Sequence, residues 1–255
     1  MPSQATTSTG ITNHPVVSQS EWIEASGKLL AREKEFTRMR DQLNRQRMEL
    51  PWVKVEKEYV FEGPDGKQSL SELFDGRSQL IVYHFMFGPG WEEGCPGCSF
   101  VSDHVDAARQ HFEHHDISYV AISRAPIAEL LPYKERMGWT FRWYSSNGNE
   151  FNFDFGASFR PEDLEKGPVF FNFTDQKLKG QEQPGLSVFV KDEQGKVYRT
   201  YSTYERGLDL LIGAYNWIDL TPLGRNEESP MDWVKRHDRY DDETGGTTWP
   251  YTGHD

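Results

Sequence analysis

Cysteine is nearly absent from this chain: two residues in 255, Cys95 and Cys98. A small secreted domain stapled by disulfides needs more, so that class is excluded and a reducing compartment fits better. Basic charge is also short. Lys and Arg number 28 against 40 Asp and Glu, a formal net charge of −12, which argues against nucleic acid and against anionic membrane surfaces as partners. No apolar run approaches the roughly 20 residues that cross a bilayer. Met1 to Gln19 has neither a basic start nor an apolar core, so no secretory leader is expected. These absences predict a soluble, cytoplasmic protein. Mean hydropathy is low, at −0.74, but aromatic residues reach 14% and supply large apolar surfaces for a core.

What the chain does have is concentrated between Leu80 and His104. Leu80 to Phe87 is a nearly unbroken apolar run, the pattern of a strand buried on both faces. Gly88, Pro89 and Gly90 interrupt it. Cys95-Pro96-Gly97-Cys98 follows, and Val101, Val105, Ala108 and Phe112 continue at helical spacing. A thiol attacks a disulfide only as thiolate, and a helix N-terminus stabilises that anion through its free N–H groups and dipole. A second thiol one turn further on reaches the first and resolves a mixed disulfide. Cys95 is then expected to be the more exposed, attacking sulfur and Cys98 the resolving one. Pro96 takes the first helical position, where its missing N–H is no loss. The bland alternatives are two incidental thiols or half a zinc site. The preceding strand and following helix favour the redox pair.

Several further blocks stand in fixed order: YHFMFGPGWEEGCPGCSF itself, SRAP at Ser123 to Pro126, RMGW at Arg136 to Trp139, GLSVF at Gly185 to Phe189, and TYSTYERGLDLL at Thr200 to Leu211. Over residues 18 to 240 the chain resembles a thioredoxin-like family catalogued as a domain of unknown function, DUF899. The resemblance implies a thioredoxin fold and a dithiol–disulfide oxidoreductase activity, and it supplies no substrate. Thioredoxin-like proteins place a cis-proline facing the cysteines just before an antiparallel strand, which here would be Pro184. Gly185 departs from that pattern. They also keep a buried carboxylate beneath the resolving thiol, where this chain has Tyr83 and His84. His84, Glu92 or Glu93 is therefore the candidate proton acceptor for Cys98.

The remaining segments can be read in order. Residues 1–17 are rich in Ser, Thr and Pro and are expected to be a disordered tail. Ser18 and Glu21 make a capping box that starts a helical arm over 18–50, stopped by Pro51. Trp22, Leu29, Phe36, Leu43 and Leu50 recur every seven residues within it, an apolar strip for packing on its own domain or on a second copy. The thioredoxin-like domain is placed at 51–222 and a C-terminal extension at 223–255. Gly63-Pro64-Asp65-Gly66 signals an added hairpin before the main strand, an organisation that resembles peroxiredoxins. Ile117 to Ser123 reads as a second core strand parallel to the first, which brings Arg124 to the sheet edge where open α/β folds bind ligands. Arg124 is thus a candidate to lower a thiol pKa or hold an acidic substrate. Leu186 to Val190 and Lys196 to Ser202 make a hairpin, and Leu208 to Leu220 a closing helix. A last short helix is expected from Ser229 to Trp233.

Histidines raise a metal alternative, with His104, His111 and His115 along one side of the CxxC helix. Spread over about 17 Å at ~1.5 Å per residue they cannot converge, so no metal and no cofactor is predicted. A thiol peroxidase of the usual kind needs a threonine three residues before its cysteine, and Glu92 stands there. The fold predicted is α/β and thioredoxin-like: a central mixed sheet flanked by helices, with an N-terminal helical arm and an added β-hairpin. The function predicted is thiol–disulfide exchange at Cys95 and Cys98. A non-enzymatic binding or redox-sensing module and an atypical thiol peroxidase are the alternatives. The expected partners are a thiol or disulfide protein or small molecule, with no nucleic acid and no membrane, and a homodimer through the N-terminal helix.

Overall fold

A computed structural model describes residues 14–241. Most of the expected disordered tail, and the polar stretch beyond Asp241, lie outside the described residues. The chain divides into two compact units: residues up to Pro51 with Trp217–Asn226, and Trp52–Asn216 with Glu227 onward. In the first, helix α1 (Gln19–Met48) opens on the Ser18 capping box, with Ser18 and Glu21 exchanging hydrogen bonds as their spacing predicts. It ends two residues before Leu50, and none of its side chains is buried.

The second unit is built on one eight-stranded sheet. Its strands are β1 (Val53–Lys54), β2 (Val60–Gly63), β3 (Gly66–Ser69), β4 (Gln79–His84), β5 (Ile117–Ser123), β6 (Arg142–Ser145), β9 (Gly185–Lys191) and β10 (Val197–Tyr204). A separate hairpin pairs β7 (Val169–Phe171) with β8 (Thr174–Gln176). The main sheet runs β1-β10-β9-β4-β5-β6-β2-β3. Strands β4, β5 and β6 are parallel, and β9 lies antiparallel against the other side of β4. The connection from β4 to β5 runs through α2 (Pro96–Ser102) and α3 (Val105–Phe112), and α4 (Ile127–Arg136) leads from β5 to β6. A βαβ unit with an antiparallel hairpin beside its first strand is the thioredoxin arrangement, so the fold is thioredoxin-like. The predicted hairpin is β2–β3, at the edge of the sheet.

Alternation along β4 sorts its side chains onto two cores. Tyr83 and Phe85 pack with Cys95, Cys98, Tyr133, Trp139 and Trp143 on one side. Leu80 and Val82 pack with Phe61, Phe151, Phe155 and Phe189 on the other. Phe151 and Phe155 reach that second core from α5 (Phe151–Asp154) and the residue after it. Helix α6 (Pro161–Lys166) follows.

Several expectations need correction. The CxxC helix is broken at Asp103 and His104, where His104 Nδ1 bonds the Phe100 carbonyl and its Nε2 accepts from the Ala214 N–H. That ring is held as a brace between segments. The expected helix from Leu208 to Leu220 is a 3-10 turn over Glu205–Leu211 and a short α7 (Gly213–Ile218). Ser229 to Trp233 forms turns instead of a helix. Pro132 lies inside α4, which stays continuous although the proline removes one internal donor. Among the described residues no helix is long and apolar enough to cross a membrane.

Candidate active site

The loop from β4 to α2 is shaped by residues that leave little choice. Pro89 and Gly90 fill the centre of a turn closed by Trp91 N–H to Gly88 O at 3.2 Å, with Gly90 at φ 76°, a conformation that glycine adopts without strain. Gly94 is required for another reason. A Cβ there would lie 2.6 Å from the Phe85 ring and 2.9 Å from Tyr133. Its backbone is thereby pressed onto the aromatic layer, and Cys95 N–H bonds the Met86 carbonyl at 3.1 Å.

Cys95 is the N-cap of α2, and Pro96 follows in the first helical turn. The two thiols are unbridged and both are buried, Cys95 at 2% exposure and Cys98 at 1%. Exposure therefore does not set the two sulfurs apart. The two differ in environment. Cys95 is lowered from the usual thiol range by a hydrogen bond from the Cys98 thiol. The Cys98 and Gly97 amides and the positive charge of Arg236 help, and together these outweigh burial. Cys98 is pushed well up, first by burial and then by its neighbour Cys95. Its sulfur accepts the Met86 N–H at 3.4 Å.

Arg236, which sequence reasoning did not single out, arrives from the C-terminal segment. Its guanidinium donates to the Gly94 carbonyl at 2.7 and 3.1 Å and to Tyr133 Oη at 3.1 Å, and it ion-pairs with Glu93 at 2.8 Å. Tyr133 in turn bonds Ser99 at 2.8 Å, and Ser99 donates to the Cys95 carbonyl at 2.8 Å. Since Ser99 has one proton and gives it to Cys95 O, Tyr133 must donate to Ser99 while accepting from Arg236. The chain Arg236, Tyr133, Ser99, Cys95 thus has one direction. Burial pushes the Tyr133 phenol up to about 12, which keeps that proton in place.

The same segment is tied down on both sides of Arg236. His237 pairs with Asp103 at 2.8 Å, and Asp238 with Arg136 at 2.7 Å. Trp233 packs edge-on against Phe100 with ring centroids 5.6 Å apart, and Val234 is fully buried. These contacts lay residues 233–238 along the CxxC end of the domain.

The other candidates fall elsewhere. His84 follows Tyr83 on β4 and so points to the opposite face of the sheet. There it lies over Phe151 and Phe155 and bonds Ser187 through Nε2 at 2.9 Å. Burial lowers its pKa to about 3, so it is a neutral core residue on the wrong side of the strand to serve Cys98. Glu92 is exposed and makes no hydrogen bond or ion pair among the described residues. Glu93 is instead the structured member of that pair, held by Arg136, Arg236 and Arg239. Arg124 ion-pairs with the buried Glu182 and lies over the Phe153 ring. No peptide bond among the described residues is cis, so Pro184 is trans. The chain enters β9 already extended, through a bridge between Ser158 and Glu182 and a Gln183 N–H bond to Ala157 O. That path needs no tight turn of the kind a cis bond serves. Gly185, the departure seen in the sequence, lets the backbone pass the Tyr204 ring, which a Cβ would meet at 2.6 Å. No group of three His, Cys, Asp or Glu side chains converges on a metal position among the described residues.

A family model for a bacterial protein of unknown function, DUF899, matches residues 11–240. The chain belongs to that family. Within DUF899, the loop, the CxxC helix and the Arg236 segment all fall inside the matched span. No curated protein matches the chain. Solved structures that resemble it include a peroxidoxin, BcpB, from Mycobacterium tuberculosis, 16% identical, covering 66% of this chain and 96% of that one at a TM-score of 0.42. A peroxiredoxin Q mutant from Xanthomonas campestris is 12% identical over 62% of this chain and 90% of its own, at a TM-score of 0.39. A Chlorobium tepidum chain described as a thiol:disulfide interchange protein, DsbE, is 12% identical over 65% and 97%, also at 0.39.

Proposed function

We propose that this DUF899 protein is a dithiol–disulfide oxidoreductase that cycles Cys95 and Cys98. The observation that carries the reading is the opposite tuning of two adjacent buried thiols, Cys95 lowered and Cys98 raised. In such a pair Cys95 is the thiol that ionises more readily and acts as nucleophile, and Cys98 is the sulfur held in reserve. Cys95 thiolate attacks a substrate disulfide, forming a mixed disulfide and releasing one substrate thiolate, which takes the Cys98 proton. Cys98, now a thiolate, attacks Cys95 Sγ, the bond to the substrate breaks, and the second substrate sulfur leaves as a thiolate. The substrate gains two electrons, and the protein retains a Cys95–Cys98 disulfide. The reverse sequence oxidises a dithiol.

With Cys95 at 2% exposure, a low-molecular-weight disulfide reaches it with less rearrangement than a folded protein would need. The deciding experiment uses Cys98→Ser protein and hydroxyethyl disulfide. Cys95 should accumulate as a stable mixed disulfide and alkylate with an apparent pKa below the ordinary 9.0. If Cys98 alkylates first in the unmodified protein, the roles are reversed. We further propose a second copy of the chain as the partner of α1. Trp22, Leu29, Phe36 and Leu43 stand 58%, 60%, 62% and 52% exposed at seven-residue intervals, a strip that isologous pairing would bury.

A further inference from the structure

Two buried hydroxyls beside the redox pair have no role in the exchange steps above. Tyr83, on β4, is 1% exposed, and Tyr119, on β5, is 5% exposed. The parallel register sets Ile81 opposite Tyr119 and Tyr83 opposite Ala121, so the two tyrosines are diagonal neighbours on one face of the sheet. Both belong to the core that contains Cys98. Neither Oη makes a hydrogen bond of good geometry. Buried hydroxyls without partners cost free energy, so they favour any state that gives them an acceptor.

Their surroundings say which state that is. Burial raises both phenols first, and charge on Cys98 raises both further. A contact between the Tyr83 hydroxyl and the Cys98 sulfur opposes the rise of that thiol. The Met86 N–H already points at the same sulfur. Both phenols therefore stay protonated at neutral pH and act as donors, never as bases. A neutral thiol is a weak acceptor and gives these donors little. A thiolate accepts strongly, and its charge-assisted hydrogen bonds are about twice as strong as neutral ones. Donors that are idle against the thiol and engaged against the thiolate favour the charged state selectively.

We propose that the Tyr83 hydroxyl and the Met86 amide form a preorganised cradle for the Cys98 thiolate, with Tyr83 a catalytic residue of the resolving step. The proposal rests on the dithiol reading of the site and adds where the resolving charge is held. When Cys98 gives up its proton to the departing substrate thiolate, its sulfur becomes the strong acceptor that the Tyr83 hydroxyl lacks and that the Met86 N–H already faces. When the Cys95–Cys98 disulfide is reduced, Cys98 leaves as the anion into the same cradle. No proton is transferred to or from either phenol.

The test compares Tyr83→Phe with the parent, each in a Cys95→Ser background. Thiolate ultraviolet absorbance against pH reads Cys98 directly. A hydrogen bond to a charged group is worth about 1.5–3 kcal/mol, so the thiolate fraction at a given pH should drop roughly ten- to hundredfold in Tyr83→Phe. Urea unfolding at neutral pH supplies the control. Loss of an idle hydroxyl should leave stability unchanged or raised, whereas a merely structural hydroxyl would lower it. An unshifted Cys98 titration, or a shift accompanied by lost stability, overturns the cradle. The exchange reading fails separately, if Cys98→Ser protein forms no mixed disulfide with hydroxyethyl disulfide while the Tyr83→Phe shift persists.

Discussion

Replacing Arg236 by Met tests how far the C-terminal segment shapes the redox end of the domain. The side chain is 9% exposed, and its guanidinium spans three partners: the Gly94 carbonyl, the Tyr133 hydroxyl and the Glu93 carboxylate. Met keeps most of the apolar volume and removes all of these bonds. Breaking a buried charge pair costs about 3–5 kcal/mol, but Glu93 is 28% exposed and screening reduces the loss. We expect about 2–4 kcal/mol, read as a shift in the urea midpoint at constant m-value. At roughly 2–4 °C per kcal/mol for a unit of this size, Tm should fall by about 5–15 °C. The thiol should respond too. Arg236 is one of the causes that lower Cys95, so alkylation of Cys95 in a Cys98→Ser background should shift to higher pH. Arg236→Lys separates the two effects. It keeps the charge but loses the fork that holds a carbonyl and a carboxylate together, so it should recover the thiol more fully than the stability. Unchanged urea midpoint and unchanged alkylation in Arg236→Met would refute this account of the segment.

Acid should loosen the same segment. Hydrogen bonds and ion pairs to arginine hold the Glu93 and Asp238 carboxyls below their ordinary values of 4.5 and 3.8, against the opposing effect of burial. For a depressed carboxyl the stabilisation is complete above the ordinary value and is lost as pH falls through the lower folded one. Limited proteolysis within 227–240 should therefore be slow at neutral pH and accelerate below about pH 4. Cleavage equally fast at pH 7 would show that these pairs do not hold it. For the helical arm, full-length protein should sediment as a dimer and a chain beginning at Trp52 as a monomer. A monomeric full-length protein at micromolar concentration would remove the second copy as its partner.

The sequence by itself determined whatever depends on near neighbours along the chain. The apolar run, the Pro-Gly turn and the Cys-Pro-Gly-Cys start of a helix are each set within a few residues; the turn and the helix start form where the pattern puts them, and the strand ends at His84, three residues before the apolar run does. The hairpin at Gly63 to Gly66, strand Ile117–Ser123 and the Ser18 capping box were legible for the same reason. Two decisions belonged to the tertiary structure. One was the choice between Tyr83 and His84. Adjacent strand residues face opposite ways, but which face receives the CxxC helix depends on how the helices pack, and it is Tyr83 that meets Cys98. The other was the cation beside Cys95. Arg124 follows its strand closely, yet Glu182 holds its charge. Arg236 lies 142 residues from the Gly94 carbonyl it clasps, and no local pattern marks it among 28 Lys and Arg. Backbone geometry is set by short-range sterics and hydrogen bonding, which spacing reveals. Which charges and hydroxyls share a buried site is set only when distant segments compete for the same space.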